Sequence, residues 1–119
     1  MIVKEKFFPK DSAKEAIQKE QEKIGPLVEM EELFVNLDGG GFIRVEITLE
    51  GVNAKSKEKI QAKEVFLRDK VITVLGSKGF QDVQTDNREK LKKELLTELN
   101  KICNNEIKDV LFKNFVYQF

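Results

Sequence analysis

The chain has 119 residues, enough for one hydrophobic core and too few for two. Its 21 basic and 21 acidic residues cancel, and the Lys-rich stretches at 55–63 and 90–93 sit among Glu residues; that pattern marks solvated helix faces and argues against a nucleic-acid site, which needs a basic excess. With no His and one Cys, the chain is without Ser-His or Cys-His nucleophile pairs, imidazole metal ligands and an internal disulfide; no spacing marks a catalytic carboxylate pair, so no catalytic residue, metal site or cofactor is expected.

Residues 1–10 show no period, are too short and charged for a secretory signal, and end at Phe8-Pro9 as an irregular lead-in. Nowhere does an apolar run approach the roughly 20 residues that cross a bilayer. Ser12 and Glu15 have the spacing of a capping box, predicting a helix from there to about Ile24, stopped by Gly25-Pro26. Its apolar stripe (Ala13, Ala16, Ile17, Ile24) is thin, so residues 1–25 are expected to be a linker or spacer helix.

After Pro26 the period changes to two. Residues 27–37 are predicted as one strand, with Leu33, Val35 and Leu37 on one face and Val28, Met30 and Phe34 on the other. Glu31-Glu32 breaks the alternation, which calls for a bulge or face switch nearby. Asp38, Gly39, Gly40 and Gly41 form a turn; they lack the spacing and following helix of a phosphate loop. Residues 42–51 alternate, with Ile43, Val45, Ile47 and Leu49 inward, completing a β-hairpin with one wet face.

A helix is predicted over 56–78, with Ile60, Glu64, Leu67, Val71, Val74 and Leu75 along one stripe, Phe66 and Ile72 widening the buried face, and Gly79 as its C-cap. A connector over 80–84 leads to a second helix, opened by a capping box of Asp86 and Glu89 and ended by Asn104-Asn105. Leu91, Leu95, Leu99 and Ile102 form its core face, with Leu96 and Cys103 beside it; the thiol is expected to be a buried small hydrophobe. Residues 110–119 close the chain as a strand with apolar side chains on both faces: Val110, Phe112 and Val116 against Leu111, Phe115, Tyr117 and Phe119. The fold class is therefore α+β: an antiparallel sheet, made of the hairpin and the C-terminal strand, packed against two helices.

Particular words along the chain resemble the FliL family of flagellar basal-body proteins. Residues 26–37, ending Val35-Asn36-Leu37, resemble the opening strand of that family's periplasmic domain, and residues 44–50 its second strand. Residues 67–75, with Arg68-Asp69 before an apolar run, resemble its first helix; residues 91–100, from Leu91 to Asn100, its second; and residues 110–118, through Phe112, Phe115 and Gln118, its closing strand. Two local departures are Gly76, where the family more often has Ser, and Asn87, where it often has Gly.

The resemblance implies a non-enzymatic, stomatin-like domain over 26–119. It implies a periplasmic location, an anchor in the inner membrane through an N-terminal helix absent from this sequence, and homo-oligomeric rings that support the motor's stator units (MotA and MotB type). It marks Asn36, Arg68, Asp69, Asn100 and Gln118 as motif residues with structural roles: Asn36 closing its turn, one of Arg68 and Asp69 reaching the sheet or second helix, and Asn100 capping or bridging to the last strand. The second face of 111–119 (Leu111, Phe115, Tyr117, Phe119) and the first helix through Ile17 are the expected self-association surfaces. Without the resemblance, the alternative is an α+β ligand-binding domain with an apolar pocket, or, more remotely, a hydrolase built on two carboxylates.

Overall fold

The computed structural model of the chain describes residues 24–119. The predicted spacer helix, Ile24 apart, lies outside them.

The sheet is built around one strand. β3 (Phe42–Gly51) pairs antiparallel along one edge with β1 (Leu27–Glu29) and then β2 (Leu33–Asn36), and along the other with β4 (Ile107–Gln118). The odd-numbered side chains Ile43, Val45, Ile47 and Leu49 are fully buried beneath the helices. The even-numbered side chains face the other way, where no described helix packs: Phe42 is exposed, Arg44 and Glu46 are half-buried, and Thr48 and Glu50 are buried, Glu50 Oε2 accepting the Gly25 amide (3.0 Å).

Residues 27–37 form two short strands rather than one. Glu29 pairs with Thr48 and Leu33 with Val45, so residues 30–32 stand opposite residues 46 and 47. This one-residue bulge shifts the alternation, bringing Val28 and Met30 to the same buried side as Leu33, Val35 and Leu37. Only Phe34 of the expected opposite face points outward, and it is 67% exposed.

The turn to β3 closes through the backbone, the Leu37 amide donating to the Gly41 carbonyl (2.7 Å) and the Gly40 amide to that of Leu37 (3.3 Å). Gly39 and Gly40 have φ of 95° and 106°, which side chains rarely adopt. The turn is pinned to the helical layer by the Asp38 amide, which donates to the Lys78 carbonyl (2.9 Å).

The helix predicted over 56–78 is divided into α1 (Ser56–Ala62) and α2 (Glu64–Gly76) by Lys63, with φ −108° and ψ 14°. An unbroken helix would carry Glu64 on the stripe of Ile60 and Leu67, and a carboxylate is costly to bury unpaired. The break leaves Glu64 exposed and both apolar residues buried. Phe66 and Ile72 do not widen the buried face. They are 63% and 40% exposed, because α2 docks through Leu67, Val71, Val74 and Leu75 and no described element covers its far side. α2 ends at Gly76 with Ser77 as C-cap, so Gly79 lies beyond the cap.

Two 3₁₀ turns, Gln81–Val83 and Thr85–Asn87, lead into α3 (Arg88–Cys103). They deliver the chain already near helical geometry, so no side-chain capping box forms; the Asn87 amide group instead donates to the Gln81 carbonyl (2.8 Å). Leu91, Leu95, Leu99 and Cys103 form the buried line, stepping by four, with Ile102 and Leu96 at its margin. Asn104 and Asn105 end the helix in the left-handed region (φ 58° and 65°). The observed class is α+β: helices on one face of an open four-stranded antiparallel sheet.

Candidate functional site

Of the five motif positions, Asn100 and Arg68 make side-chain contacts that tie elements together. Asn100, on the last turn of α3, holds the first residue of β4 with both ends of its amide: Nδ2 donates to the Ile107 carbonyl and Oδ1 accepts the Ile107 amide, each at 2.9 Å. In effect the side chain acts as a short length of neighbouring strand. Arg68 reaches the β1–β2 bulge, its Nη1 lying 3.8 Å from Glu31 Oε1, while Asp69 is exposed. Asn36 contributes no described bond to its turn, which the backbone closes. Gln118 is exposed opposite Phe42, at the far end of β4.

A second cluster ties the start of β4 to the start of α1. The buried Ser56 hydroxyl donates to Glu106 Oε1 (2.9 Å) and Lys59 Nζ lies 3.3 Å from Oε2. The Ser56 bond first, and Lys59 with it, hold the Glu106 carboxyl below the usual glutamate range. Nearby, burial pushes the Cys103 thiol up, keeping it protonated and unreactive. Among the described residues no three His, Cys, Asp or Glu side chains could hold a metal ion. The depressions lined by Lys78, Leu91 and Glu94, and by Lys59, Cys103 and Glu106, are open to solvent.

The feature with the character of a contact surface is β4. Its pairing with β3 slips at Lys113 and again at Lys108. The slip at Lys113 reverses the faces expected from simple alternation. Val110, Phe112, Phe115 and Tyr117 stand opposite the buried Leu49, Ile47, Val45 and Ile43, and so lie on the helix side; Leu111 and Val116 lie on the uncovered side. The proposed self-association set is thus split: Leu111 on one face, Phe115 and Tyr117 on the other, and Ile17 outside the described residues.

On the helix side the aromatic rings form a ladder. Successive centroids are 4.9 Å apart for Phe112–Phe115, 6.4 Å for Phe115–Tyr117 and 6.4 Å for Tyr117–Phe119. Phe80 adds an edge-on contact to Phe119 at 5.1 Å, and the Arg88 guanidinium carbon sits 3.9 Å from the Phe115 ring centre. Phe80 and Arg88 come from elements 27 to 39 residues upstream of these partners, so no local pattern could have joined them to the strand.

No described strand covers the outer edge of β4. The direction of its amides follows from the other side of β3. The Ile47 carbonyl and the Gly51 amide both bond toward β1 (to the Met30 amide at 2.9 Å and the Pro26 carbonyl at 2.8 Å). Odd residues of β3 therefore point away from β4, and the β4 residues opposite them point their own N–H and C=O groups outward. Those residues are Val110, Phe112, Phe115 and Tyr117. Asp109 Oδ1 takes up one of the four amides, that of Val110 (2.8 Å).

A family model described as "Flagellar basal body-associated protein FliL" matches residues 27–118. The "Flagellar protein FliL" of Aquifex aeolicus (strain VF5) is 35% identical over 79 residues, covering 65% of this chain and 49% of that protein. That of Bacillus subtilis (strain 168) is 33% identical over 92 residues, covering 76% of this chain and 64% of that protein. The match thus spans about half to under two thirds of the length of these relatives.

Proposed function

Because the chain belongs to the FliL family of flagellar basal body-associated proteins, we propose that it is the periplasmic portion of a motor protein that associates with stator units. In this reading an N-terminal membrane helix anchors it in the inner membrane, and copies assemble as a ring-forming scaffold around the engaged stator. The observation that carries the reading is the family match over 27–118, nearly the whole described fold. The one-sided sheet, with an edge that no described strand covers and the described helices on a single face, supports a role in contact rather than bond chemistry.

Such a scaffold acts by preference. Binding the engaged conformation of a stator unit about tenfold more tightly than the released one shifts that equilibrium by about 1.4 kcal/mol for each contact made. The test is the number of fluorescently labelled stator units per motor in living cells, with and without this gene. A marked drop in bound units, with flagella built and swimming impaired, is the expected result. Unchanged occupancy and unchanged swimming would refute the role.

A further inference from the structure

The two halves of the β4 edge are built differently. In the first half Lys108 and Lys113 sit at the two slips in pairing, their ammonium groups drawn back over the sheet to Glu50 (3.7 Å) and Glu29 (3.6 Å), and Asp109 occupies the Val110 amide. Bulges and a carboxylate on the edge donor both obstruct an incoming strand. The second half has none of these. Residues 114–119 (Asn, Phe, Val, Tyr, Gln, Phe) carry no charge in a chain that is 35% charged, and they contain no Pro or Gly. Guarding one half of an edge and leaving the other uncharged is the pattern of a selective contact.

We infer that residues 114–118 pair antiparallel with the same residues of a second copy, across a two-fold axis at Val116. The partner follows from the segment's self-complementarity. Phe115 and Tyr117 point their backbone groups outward, and rotation about Val116 sets each opposite the other residue of the second copy, so that the two pairs exchange four N–H···O=C bonds. Val116, 42% exposed on the uncovered face, meets Val116 of the second copy; Asn114 meets Gln118, amide against amide. Phe115 meets Tyr117 on the helix side and extends the aromatic ladder across the axis. No like charges oppose each other in this register.

This pairing stands apart from the ring. A two-fold contact closes at two copies, whereas a ring needs a head-to-tail contact on another surface. The inference therefore survives or fails whatever the stator experiment returns.

The test is oxidative cross-linking of Val116→Cys in the full 119-residue chain. Facing residues at a pair that shares no hydrogen bonds bring their Cα atoms to about 4.5 Å, within disulfide reach. The expected result is a disulfide-linked dimer from Val116→Cys and none from Leu111→Cys, which lies on the same face in the guarded half. Val116→Lys, with unchanged circular dichroism, is expected to shift the sedimenting species from dimer to monomer. Failure to cross-link at 116, equal cross-linking at 111, or a dimer that survives Val116→Lys would each overturn the proposal.

Discussion

At the scale of single residues, two polar side chains hold the start of β4 where the helical layer needs it. Asn100 replaces a missing strand neighbour for Ile107, satisfying both of its backbone groups. Asn100→Ala removes two hydrogen bonds and leaves those groups in a part-buried place, so it is expected to cost about 2 kcal/mol and to lower Tm by roughly 10 °C, as read by thermal denaturation. Glu106 supplies a pH-dependent counterpart. Its folded-state pKa lies below the ordinary 4.5, so the ionised form contributes stability above that value and loses it as pH falls through the lower, folded one. Glu106→Gln is therefore expected to be less stable than the parent at neutral pH, with the two urea midpoints converging as the pH falls below the ordinary glutamate range. The family resemblance marked Asn100 for a cap or bridge, and the bridge is what forms. Glu106 drew no notice, because its partners Ser56 and Lys59 lie some 50 residues away in sequence.

At the scale of elements, the sequence was most legible where one period ran uninterrupted. β3 and the Leu91, Leu95, Leu99 line of α3 are as their spacing predicts. It was least legible wherever a single extra residue changes phase. The bulge at residues 30–32 was foreshadowed by Glu31-Glu32, yet alternation alone put Val28 and Met30 on the wrong face. The slip at Lys113 was not foreshadowed, since apolar residues stand on both sides of it and either phase looks acceptable. The division of α1 from α2 was likewise hidden by a stripe that tolerates Glu64. Deleting Glu31 tests the first of these. Without the extra residue, pairing can hold β2 in place only by turning Val28 and Met30 out to solvent, with an expected loss of about 3–6 kcal/mol from two exposed side chains. Glu31→Ala leaves the phase intact and forfeits only an exposed ion pair with Arg68, worth at most about 1 kcal/mol. Urea denaturation of the two variants distinguishes phase from charge.

At the scale of the whole molecule, the α+β class and the single covered sheet face follow from the order of elements, because segregated strands and helices leave few ways to bury both. What sequence could not supply was the placement of apolar surface: Phe34, Phe42 and Val116 near one end of the uncovered face, and Phe80 with Phe119 beyond the last turn of the ladder. The pairing register also fixes how the domain carries a load. Leu27 stands opposite Glu50 and Gln118 opposite Phe42, so the chain enters the sheet at one end of β3 and leaves at the other, about 27 Å along the strand. A pull between those two points runs along the strands. It must slide β1, β2 and β4 past β3 with all their hydrogen bonds strained together, whereas a pull across the strands would open them one at a time. Sequence order and register together make this small sheet a shear clamp, strongest along the axis that joins Leu27 to Gln118.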